Sequence, residues 1–401
     1  MGTTVNFARV VACALVACSL APASAAPRRD VRIGMALEPP GLDPTAGAAS
    51  AIGEVTQFNV FEQLVRIKED FTVAPGLATS WTFSDDLKTL TFKLREGVKF
   101  QNGEPFTSAD VKFSFERAAA EDSTDKDKAF FASIASIDAP DPSTVTLVFK
   151  APSYQALYHL GFASASIVEP KSAPTDAVKP VGTGPYELAD WQKGSSLTLK
   201  AWPGYRDAAS VKIEAATFRF ISDPAAQVAA MLAGDLDAFP RFGAFDALDK
   251  LRADPRFRVA VGGTQGKTIV AINERHAPLG DVRVRRAICS ALDRKAIVDG
   301  AMNGLGAPIG SHYVPGLPGY VDLTGACPHD PAKARALLAQ AGVKTPLTLT
   351  LKLPPPSYAR LGGQIVAAEL AEVGIVAKIE NVEWAQWLAN VYGGAHDYDL
   401  T

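Results

Sequence analysis

The stretch LTLTLKLPPPSYARLGGQIVAAELAEVGIVAKI, residues 347–379, decides the fold class of this chain. Its first seven residues alternate leucine with polar side chains, as a half-buried β-strand does. Three prolines then end the strand, and residues 358–373 have the pattern of a helix that Gly374 ends. Residues 375–379 form a second strand. The segment is therefore a βαβ unit with parallel strands and a right-handed crossover, and the chain is an α/β protein.

Shorter patterns predict further elements upstream. Thr89–Leu94 alternates as a strand with one buried face. Thr107 and Asp110 form a capping box that opens a helix from Ser108 to about Ala119. Residues 145–149 follow an Asp-Pro turn and are a further strand.

In the second half of the chain, Asp-Pro pairs mark two helix starts. Asp223-Pro224 opens a helix that we expect to bury Val228, Met231 and Leu232, and Asp330-Pro331 opens another that ends at Gly342. Residues 235–239, 268–272 and 398–401 have strand character. Because a domain rarely ends on a strand, we expect the sequence to be C-terminally truncated.

Composition indicates a soluble globular protein without a polyanionic partner. The chain has 401 residues, of which 47% are hydrophobic and 21% charged, and its net charge is −3. That length suits two or three packed units. Nucleic-acid binding normally requires clustered Lys and Arg, and the cluster of Arg283, Arg285 and Arg286 is too short for it. We expect no nucleic-acid partner.

The first 25 residues predict export. Arg9 is the one charged residue among them, residues 10–20 are small or apolar, and residues 23–25 read Ala-Ser-Ala. This is the pattern of a secretory signal peptide cleaved near Ala25, and it predicts a periplasmic protein. The sequence before Cys18 resembles a lipobox, so a lipoprotein anchored at Cys18 is an alternative.

Cys289 and Cys327 are the cysteines that remain after such a cleavage. In an oxidising compartment they can form a disulfide. Two buried, reduced cysteines that act as small hydrophobic side chains are an equally good reading of the sequence.

The sequence gives no support for catalysis. Its five histidines are scattered, no CxxC pair supplies metal-ligand spacing, and no G-x-S-x-G elbow is present. Residues 262–268 end like a nucleotide-binding P-loop, but Val261 stands where the first glycine is needed and a strand follows. We therefore expect no catalytic residues, no metal and no cofactor.

Several segments resemble one protein family. Residues 74–81 read APGLATSW, followed by SDD at 84–86, FKLREGVKF at 92–100, NGEPFT at 102–107 and Asp110-Val111. Three shorter segments agree: LDP at 42–44, PVGTGPY at 180–186, and DVRVRRA at 281–287 with Asp293-Arg294. Together they resemble the dipeptide, oligopeptide and nickel-binding proteins of ABC importers, extracellular solute-binding family 5.

This resemblance implies a two-lobed, hinged periplasmic-binding-protein fold, type II-like, with an extra subdomain in the first lobe. The first lobe would comprise residues 26–50 and 178–265, the extra subdomain 51–177, and an incomplete second lobe 266–401. It also implies a monomer that captures a small, peptide-like ligand by lobe closure and delivers it to an ABC transporter permease.

Residues at the ends of elements are candidates for ligand binding. Glu38 follows the first strand and has the charge to meet an ammonium group. The others lie in the expected crossing between lobes, in Pro/Gly-rich loops or after the last strand, where binding residues gather: Thr264, Gln265, His312, Tyr313, Tyr358 and Trp384. For each of them a role in a loop, in the hinge backbone or in the core is the competing interpretation.

Two other function classes remain as alternatives. A periplasmic hydrolase would require a nucleophile and a base, which the sequence does not display. A binding protein that serves as a sensor or a chaperone partner would keep the fold and bind another protein. Within the importer class, the sequence leaves open dipeptides, longer peptides, nickel chelates, haem, opines and sugars.

Overall fold

The computed structural model describes residues 28–264, 266–317 and 319–401. Its strands are β1 Asp30–Met35, β2 Val65–Ile67, β3 Val73–Pro75, β4 Ala78–Phe83, β5 Thr89–Leu94, β6 Ile134–Asp141, β7 Thr144–Phe149, β8 Tyr186–Gln192, β9 Ser196–Ala201, β10 Ala215–Phe220, β11 Leu347–Leu353 and β12 Ile375–Asn381. Its helices are α1 Ser50–Thr56, α2 Ser108–Ala119, α3 Lys128–Ala132, α4 Ala156–His159, α5 Pro224–Ala233, α6 Leu248–Ala253, α7 Val282–Ala291, α8 Arg294–Met302, α9 Pro331–Gln340, α10 Ser357–Glu372 and α11 Trp384–Trp387.

Three regions each have a sheet and a hydrophobic core. The first sheet has the order β1-β10-β9-β8, with β1 parallel to β10 and the other pairs antiparallel. The second is the antiparallel sheet β4-β5-β7-β6, which lies between β1 and β8 in the sequence. The third is the parallel pair β11-β12. Following the predicted organisation, we call these regions the first lobe, the inserted subdomain and the second lobe.

Burial in the first region extends beyond its strands. Helix α1 and the residues after it contribute Ala51, Val55, Val60 and Phe61 to the core under the first sheet. The inserted subdomain has its own core around Phe92 and Phe115, and the second lobe has one around Leu351 and Leu370. The lobe boundaries proposed from the resemblance stay a prediction.

The βαβ unit predicted from residues 347–379 is present. Strand β11 pairs in parallel with β12 through seven residue pairs, and α10 connects them. Leu349, Leu351 and Leu353 are buried, as their alternation predicts. Gly374 has φ of +88°, the left-handed conformation that ends a helix and that glycine adopts without steric cost.

The predicted elements of the inserted subdomain are also present. Strand β5 and helix α2 have the predicted bounds, and Asp110 accepts a hydrogen bond of 2.7 Å from the Thr107 backbone N–H. This is the reciprocal half of the capping box.

Three of the predicted strands, at residues 235–239, 268–272 and 398–401, do not form. Residues 235–239 run beside β1 with a single bridge, between Ile33 and Ala238. The Asp237 carboxylate accepts the Arg32 N–H at 2.7 Å and thereby replaces a carbonyl of the expected ladder. Residues 268–272 likewise make one bridge, between Ile272 and Leu400.

Helix α5 buries a residue that its sequence pattern does not indicate. Val228, Met231 and Leu232 are half-buried, whereas Gln227 is buried. The Gln227 amide donates to the Ile221 carbonyl at 2.9 Å and accepts from the Gly243 N–H at 2.8 Å. Two backbone partners thus satisfy the buried Gln227 amide, and α5 packs against its neighbours with this side chain.

Residues 398–401 lie beside β11, where Leu400 bridges both Leu351 and Ile272. Across the described ranges, no helix combines the length and the apolar character that crossing a membrane requires.

Candidate ligand-binding site

A cavity of about 350 Å³ opens beside helix α1, between the first lobe and the inserted subdomain. Helix α1 buries Ala51 and Val55, and its Ser50 and Glu54 line the cavity. The lining residues come from the loop before α1, from α1 and from the inserted subdomain: Pro44, Gly47, Ala48, Ala49, Ser50, Ile52, Gly53, Glu54, Gln57, Lys126, Phe162 and Ala163.

This pocket contains one charge of each sign and one aromatic ring. Glu54 supplies the carboxylate and Lys126 the ammonium group. The Lys126 Nζ lies 5.1 Å from the centre of the Phe162 ring, a cation–π distance. A molecule that carries both an ammonium and a carboxylate group is complementary to this lining.

Asp127 anchors Lys126 at the rim of the pocket, with Nζ and Oδ2 2.9 Å apart. Burial favours the protonated form of Asp127, but hydrogen bonds from Ser164 and Lys126, with the His159 ring nitrogen 3.8 Å away, outweigh it and hold the pKa well below its usual range. Asp127 therefore stays ionised and keeps the Lys126 ammonium group in place.

Arg241 reaches the same pocket from the loop after α5. Its guanidinium group pairs with the Glu54 carboxylate and lies 3.3 Å from the Ser50 hydroxyl oxygen. Its φ of +57° is uncommon for a residue with a side chain. Because the Arg241 side chain is 65% exposed, a ligand can displace it from Glu54 at small cost.

The loop that carries Arg241 is also where the first lobe meets the second. A Cβ built on Gly243 would lie 3.5 Å from the Ser357 hydroxyl oxygen at the start of α10. The Asn303 amide, after α8, donates to the Phe245 carbonyl at 3.4 Å. Burial raises the pKa of Tyr358, and the nearby Arg241 charge opposes that shift. The pocket therefore borders the contact between the lobes.

A second, polar cavity of about 280 Å³ lies on the second lobe, and its charges pair with one another. Lys352 is 2.6 Å from Asp397, and His276 Nδ1 is 2.9 Å from Asp399. The α1 pocket combines its few charges with apolar side chains such as Ile52 and Phe162 and borders the contact between the lobes, so it is the better candidate for a ligand site.

Among the residues predicted from the sequence, Glu38 is engaged within the first lobe. One of its oxygens accepts from the Trp191 indole N–H and the other from the Gly194 backbone N–H, both at 2.9 Å. The carboxylate thereby fixes the hairpin between β8 and β9, and its binding role stays a prediction.

Tyr358 and Trp384 lie in neighbouring parts of the second lobe. Arg360, in the first turns of α10, is 3.8 Å from Glu383, which precedes Trp384. The Trp384 ring stacks on Trp387 with centroids 5.5 Å apart, and its Nε1 has no acceptor among the described residues. Tyr358 adjoins Arg241 and thus the rim of the α1 pocket.

The remaining candidates lie on exposed segments. Thr264 is exposed in the crossing segment, where its hydroxyl accepts from the Gly266 N–H at 3.1 Å. Gln265 is outside the described residues. His312 and Tyr313 are exposed on the long loop between α8 and α9. A role in binding stays a prediction for all four.

Sequence reasoning missed Glu54, Lys126, Phe162 and Arg241. Polar residues recur at Ser50, Glu54 and Gln57, the spacing of one helix face, and this is the signal that points to α1. Lys126, Phe162 and Arg241 carry no such signal, since the fold brings them together from distant parts of the chain.

Comparison with known proteins identifies the family. Residues 72–401 match the model of bacterial extracellular solute-binding proteins, family 5 Middle. This chain belongs to that family. The predicted family and solute-binding function are thereby confirmed.

Two curated relatives have similar sequences over most of the chain. A di/tripeptide-binding protein 1 from Pseudomonas aeruginosa is 30% identical over 397 residues, covering 90% of this chain and 73% of the relative. The glutathione-binding protein GsiB of Escherichia coli is 29% identical over 371 residues, covering 91% of this chain and 72% of the relative.

Solved structures of binding proteins confirm the predicted two-lobed fold class. The binding protein AgaA from A. tumefaciens R10, in complex with agropinic acid, has a TM-score of 0.83 and 30% identity, covering 93% of this chain and 76% of AgaA. MoaA from the same source, in complex with mannopinic acid, has a TM-score of 0.85 and 25% identity, covering 94% of this chain and 77% of MoaA.

Proposed function

We propose that this chain captures a short peptide, or a peptide-like molecule with ammonium and carboxylate groups, and delivers it to an ABC transporter permease. The observation that carries the proposal is the pocket beside α1, which places Glu54, Lys126 and Phe162 around about 350 Å³ next to the lobe contact. Relatives that bind di/tripeptides and glutathione support the same ligand class.

Binding of this kind requires no bond chemistry. Closure of two lobes removes a ligand from water, and the free energy comes from contacts that are made only in the closed state. In our proposal, Glu54 exchanges Arg241 for the ligand ammonium, and Lys126 binds the ligand carboxylate. The protein is then a monomeric carrier without catalytic activity.

Isothermal titration calorimetry with dialanine and two blocked forms tests the two roles. Acetylation removes the ammonium charge of dialanine, and amidation removes its carboxylate. A charge-assisted hydrogen bond is worth about 1.5–3 kcal/mol, so each block should weaken binding to the wild-type protein by about tenfold to a hundredfold. Glu54→Gln has no carboxylate for the ligand ammonium, so only amidation should weaken its binding of dialanine. Lys126→Gln has no ammonium group for the ligand carboxylate, so only acetylation should weaken its binding.

Lys112 and Glu116 provide matched controls, because they form an exposed pair 3.7 Å apart on α2 of the same subdomain. In Lys112→Gln and Glu116→Gln, acetylation and amidation of dialanine should each weaken binding by the same factor as in the wild-type protein. If Glu54→Gln still discriminates acetylated from free dialanine as strongly as the wild type does, Glu54 is not the ammonium partner. Recovery of alanine from dialanine would instead support the hydrolase alternative.

We further propose that the chain is exported, with cleavage near Ala25, and works in the periplasm. The A-x-A pattern of residues 23–25 supports this, whereas the lipobox-like sequence before Cys18 supports a lipid anchor. Both positions lie outside the described residues. The intact mass of the protein from its host membrane and periplasm decides between them.

The lobe boundaries belong to the same proposal: residues 26–50 and 178–265 for the first lobe, 51–177 for the inserted subdomain and 266–401 for the second lobe. The separate hydrophobic cores of the inserted subdomain and the second lobe support a division into three parts, whereas Ala51, Val55, Val60 and Phe61 pack in the core under the first sheet. Limited proteolysis that cuts first near residue 265 would agree with it.

A further inference from the structure

Three buried aspartates lie where the inserted subdomain meets the loop before α1, and an arginine pairs with one of them. Asp43, Asp125 and Asp176 are 3%, 5% and 0% exposed. Arg117, on α2, donates to Asp43 Oδ2 at 2.6 Å and also binds the Thr45 hydroxyl. The Asp43 carboxylate is therefore fully paired, since its other oxygen accepts the Thr45 N–H at 2.9 Å.

Asp125 and Asp176 lack such a partner. Asp125 Oδ1 accepts the Asp127 N–H at 2.7 Å, and Asp176 Oδ1 accepts the Val181 N–H at 3.1 Å. The Oδ2 atom of each is buried without a hydrogen-bond partner among the described residues. A buried oxygen that accepts no hydrogen bond destabilises the ionised carboxylate strongly, because its negative charge is uncompensated. The same oxygen costs much less when the aspartate is protonated and neutral.

The surrounding charges do not favour ionisation. Asp43 and Arg117 face Asp176, and the Ser172 hydroxyl beside it donates to the Glu169 carbonyl at 3.2 Å. Asp125 is faced by Asp127, Lys126 and Asp43. Because Arg117 is already paired with Asp43, and Lys126 with Asp127, neither aspartate has a free cation beside it among the residues that the structure describes. Burial raises the pKa of Asp125 and of Asp176 to about 7 each.

Both aspartates flank backbone hydrogen bonds that hold the loop at residues 42–47. The Leu42 N–H donates to the Ala177 carbonyl at 2.9 Å, next to Asp176. The Gly47 N–H donates to the Thr124 carbonyl at 3.1 Å, next to Asp125. Pro44 and Gly47 line the α1 pocket, so the two aspartates lie at the attachments of a pocket wall.

We propose that Asp125 and Asp176 are proton-binding sites beside the two attachments of the 42–47 loop, and that their ionisation loosens the loop. At mildly acidic pH each is a neutral acid that can donate or remain unpaired at low cost. At alkaline pH two additional negative charges occupy the interface and repel Asp43. The proposal does not depend on which ligand the pocket binds.

The direction of the pH dependence follows from linkage. Since the folded protein holds protons that the unfolded chain releases, the stability due to these groups is complete below the unfolded pKa near 4. It is lost as the pH rises through the folded value of about 7. Paired aspartates act in the opposite direction but at lower pH: the pKa of Asp237 falls to about 2 through Arg32 and Arg28, although burial opposes it.

Infrared difference spectroscopy of the full chain tests the protonation directly. Between about pH 5 and pH 8 we expect the wild-type protein to lose the carbonyl band of a protonated carboxylic acid. Asp125→Asn and Asp176→Asn should each remove part of that band, and the double variant should remove it. A wild-type spectrum without the band at pH 5 would overturn the proposal, and this measurement requires no variant.

Unfolding in urea and hydrogen exchange test the consequence. Between about pH 5 and pH 7, the wild-type unfolding constant should rise by about tenfold to a hundredfold more than that of Asp176→Asn. At pH 8 the amides of Leu42 and Gly47 should exchange more slowly in the double variant than in the wild type. Asp85→Asn, on an exposed turn, should match the wild type in both experiments. Equal exchange in all proteins would refute loosening of the loop.

Discussion

Glu62 illustrates how single buried charges shape this protein. Arg206 binds both of its carboxylate oxygens, at 2.5 and 2.7 Å, and the Thr183 hydroxyl donates to one of them at 3.0 Å. These partners come from segments more than 100 residues away in sequence. The pair therefore closes the first lobe around the chain that returns from the inserted subdomain.

Removal of the arginine should be strongly destabilising. Arg206→Ala leaves the Glu62 carboxylate buried and unpaired, so we expect a loss of about 3–5 kcal/mol in the free energy of unfolding. The measurement is urea unfolding followed by circular dichroism.

Arg29→Ala is the matched control for that experiment. It breaks a pair of similar length, 2.7 Å to Glu214, in which both side chains are mostly exposed. It should cost less than about 1 kcal/mol. Equal losses in the two variants would mean that burial of the Glu62 pair contributes nothing.

At the scale of elements, the segment at residues 180–186 fixes how the inserted subdomain joins the first lobe. The Gly184 N–H donates to the Val60 carbonyl, and the Tyr186 N–H donates to the Asn59 carbonyl, both at 2.9 Å. A Cβ on Gly182 would lie 1.9 Å from the Val60 carbonyl oxygen. The backbone of residues 180–186 therefore contacts the backbone at Asn59 and Val60 too closely for a side chain to fit between them. This explains why Gly182 and Gly184 are glycines.

Gly182→Ala should separate these two backbones. Because the clash is with backbone and not with a flexible side chain, we expect a loss of about 3 kcal/mol or more in the free energy of unfolding. Gly325→Ala, where a Cβ would meet nothing within 4 Å, should be close to neutral. A Gly182→Ala protein with wild-type melting temperature would show that the two segments do not pack as described.

At the scale of the whole molecule, a covalent link between Cys289 and Cys327 constrains the second lobe. The structure joins them as a disulfide, with Cα atoms 6.2 Å apart, between the end of α7 and the loop before α9. Their separation of 38 residues makes the bridge a constraint on a long loop of the unfolded chain.

Loss of this bridge should lower the melting temperature. Chain entropy for a loop of that size gives about 3–4 kcal/mol, which a Cys289→Ser/Cys327→Ser variant should lose. Dithiothreitol should shift the wild-type melting temperature by a similar amount and leave the variant unchanged. A wild-type protein that is insensitive to reduction would contradict a stabilising role for the disulfide.

Where a local signal exists, the sequence predicted the structure well. The leucine alternation of β11, the capping box of α2 and the glycine after α10 each act within one or two turns of chain, so neighbouring residues suffice to specify them. The same logic failed for residues 235–239, since Asp237 satisfies the backbone of β1 with its side chain.

The sequence by itself determined the fold class, through local periodicity, and the family, through the segment at residues 74–111. Only the tertiary structure decided which charges meet. Glu54, Lys126 and Arg241 come from three distant segments, and Asp125 and Asp176 acquire their pKa near 7 from burial. The physical reason is that binding and protonation depend on distance and desolvation, and neither quantity is encoded by residues adjacent in the chain.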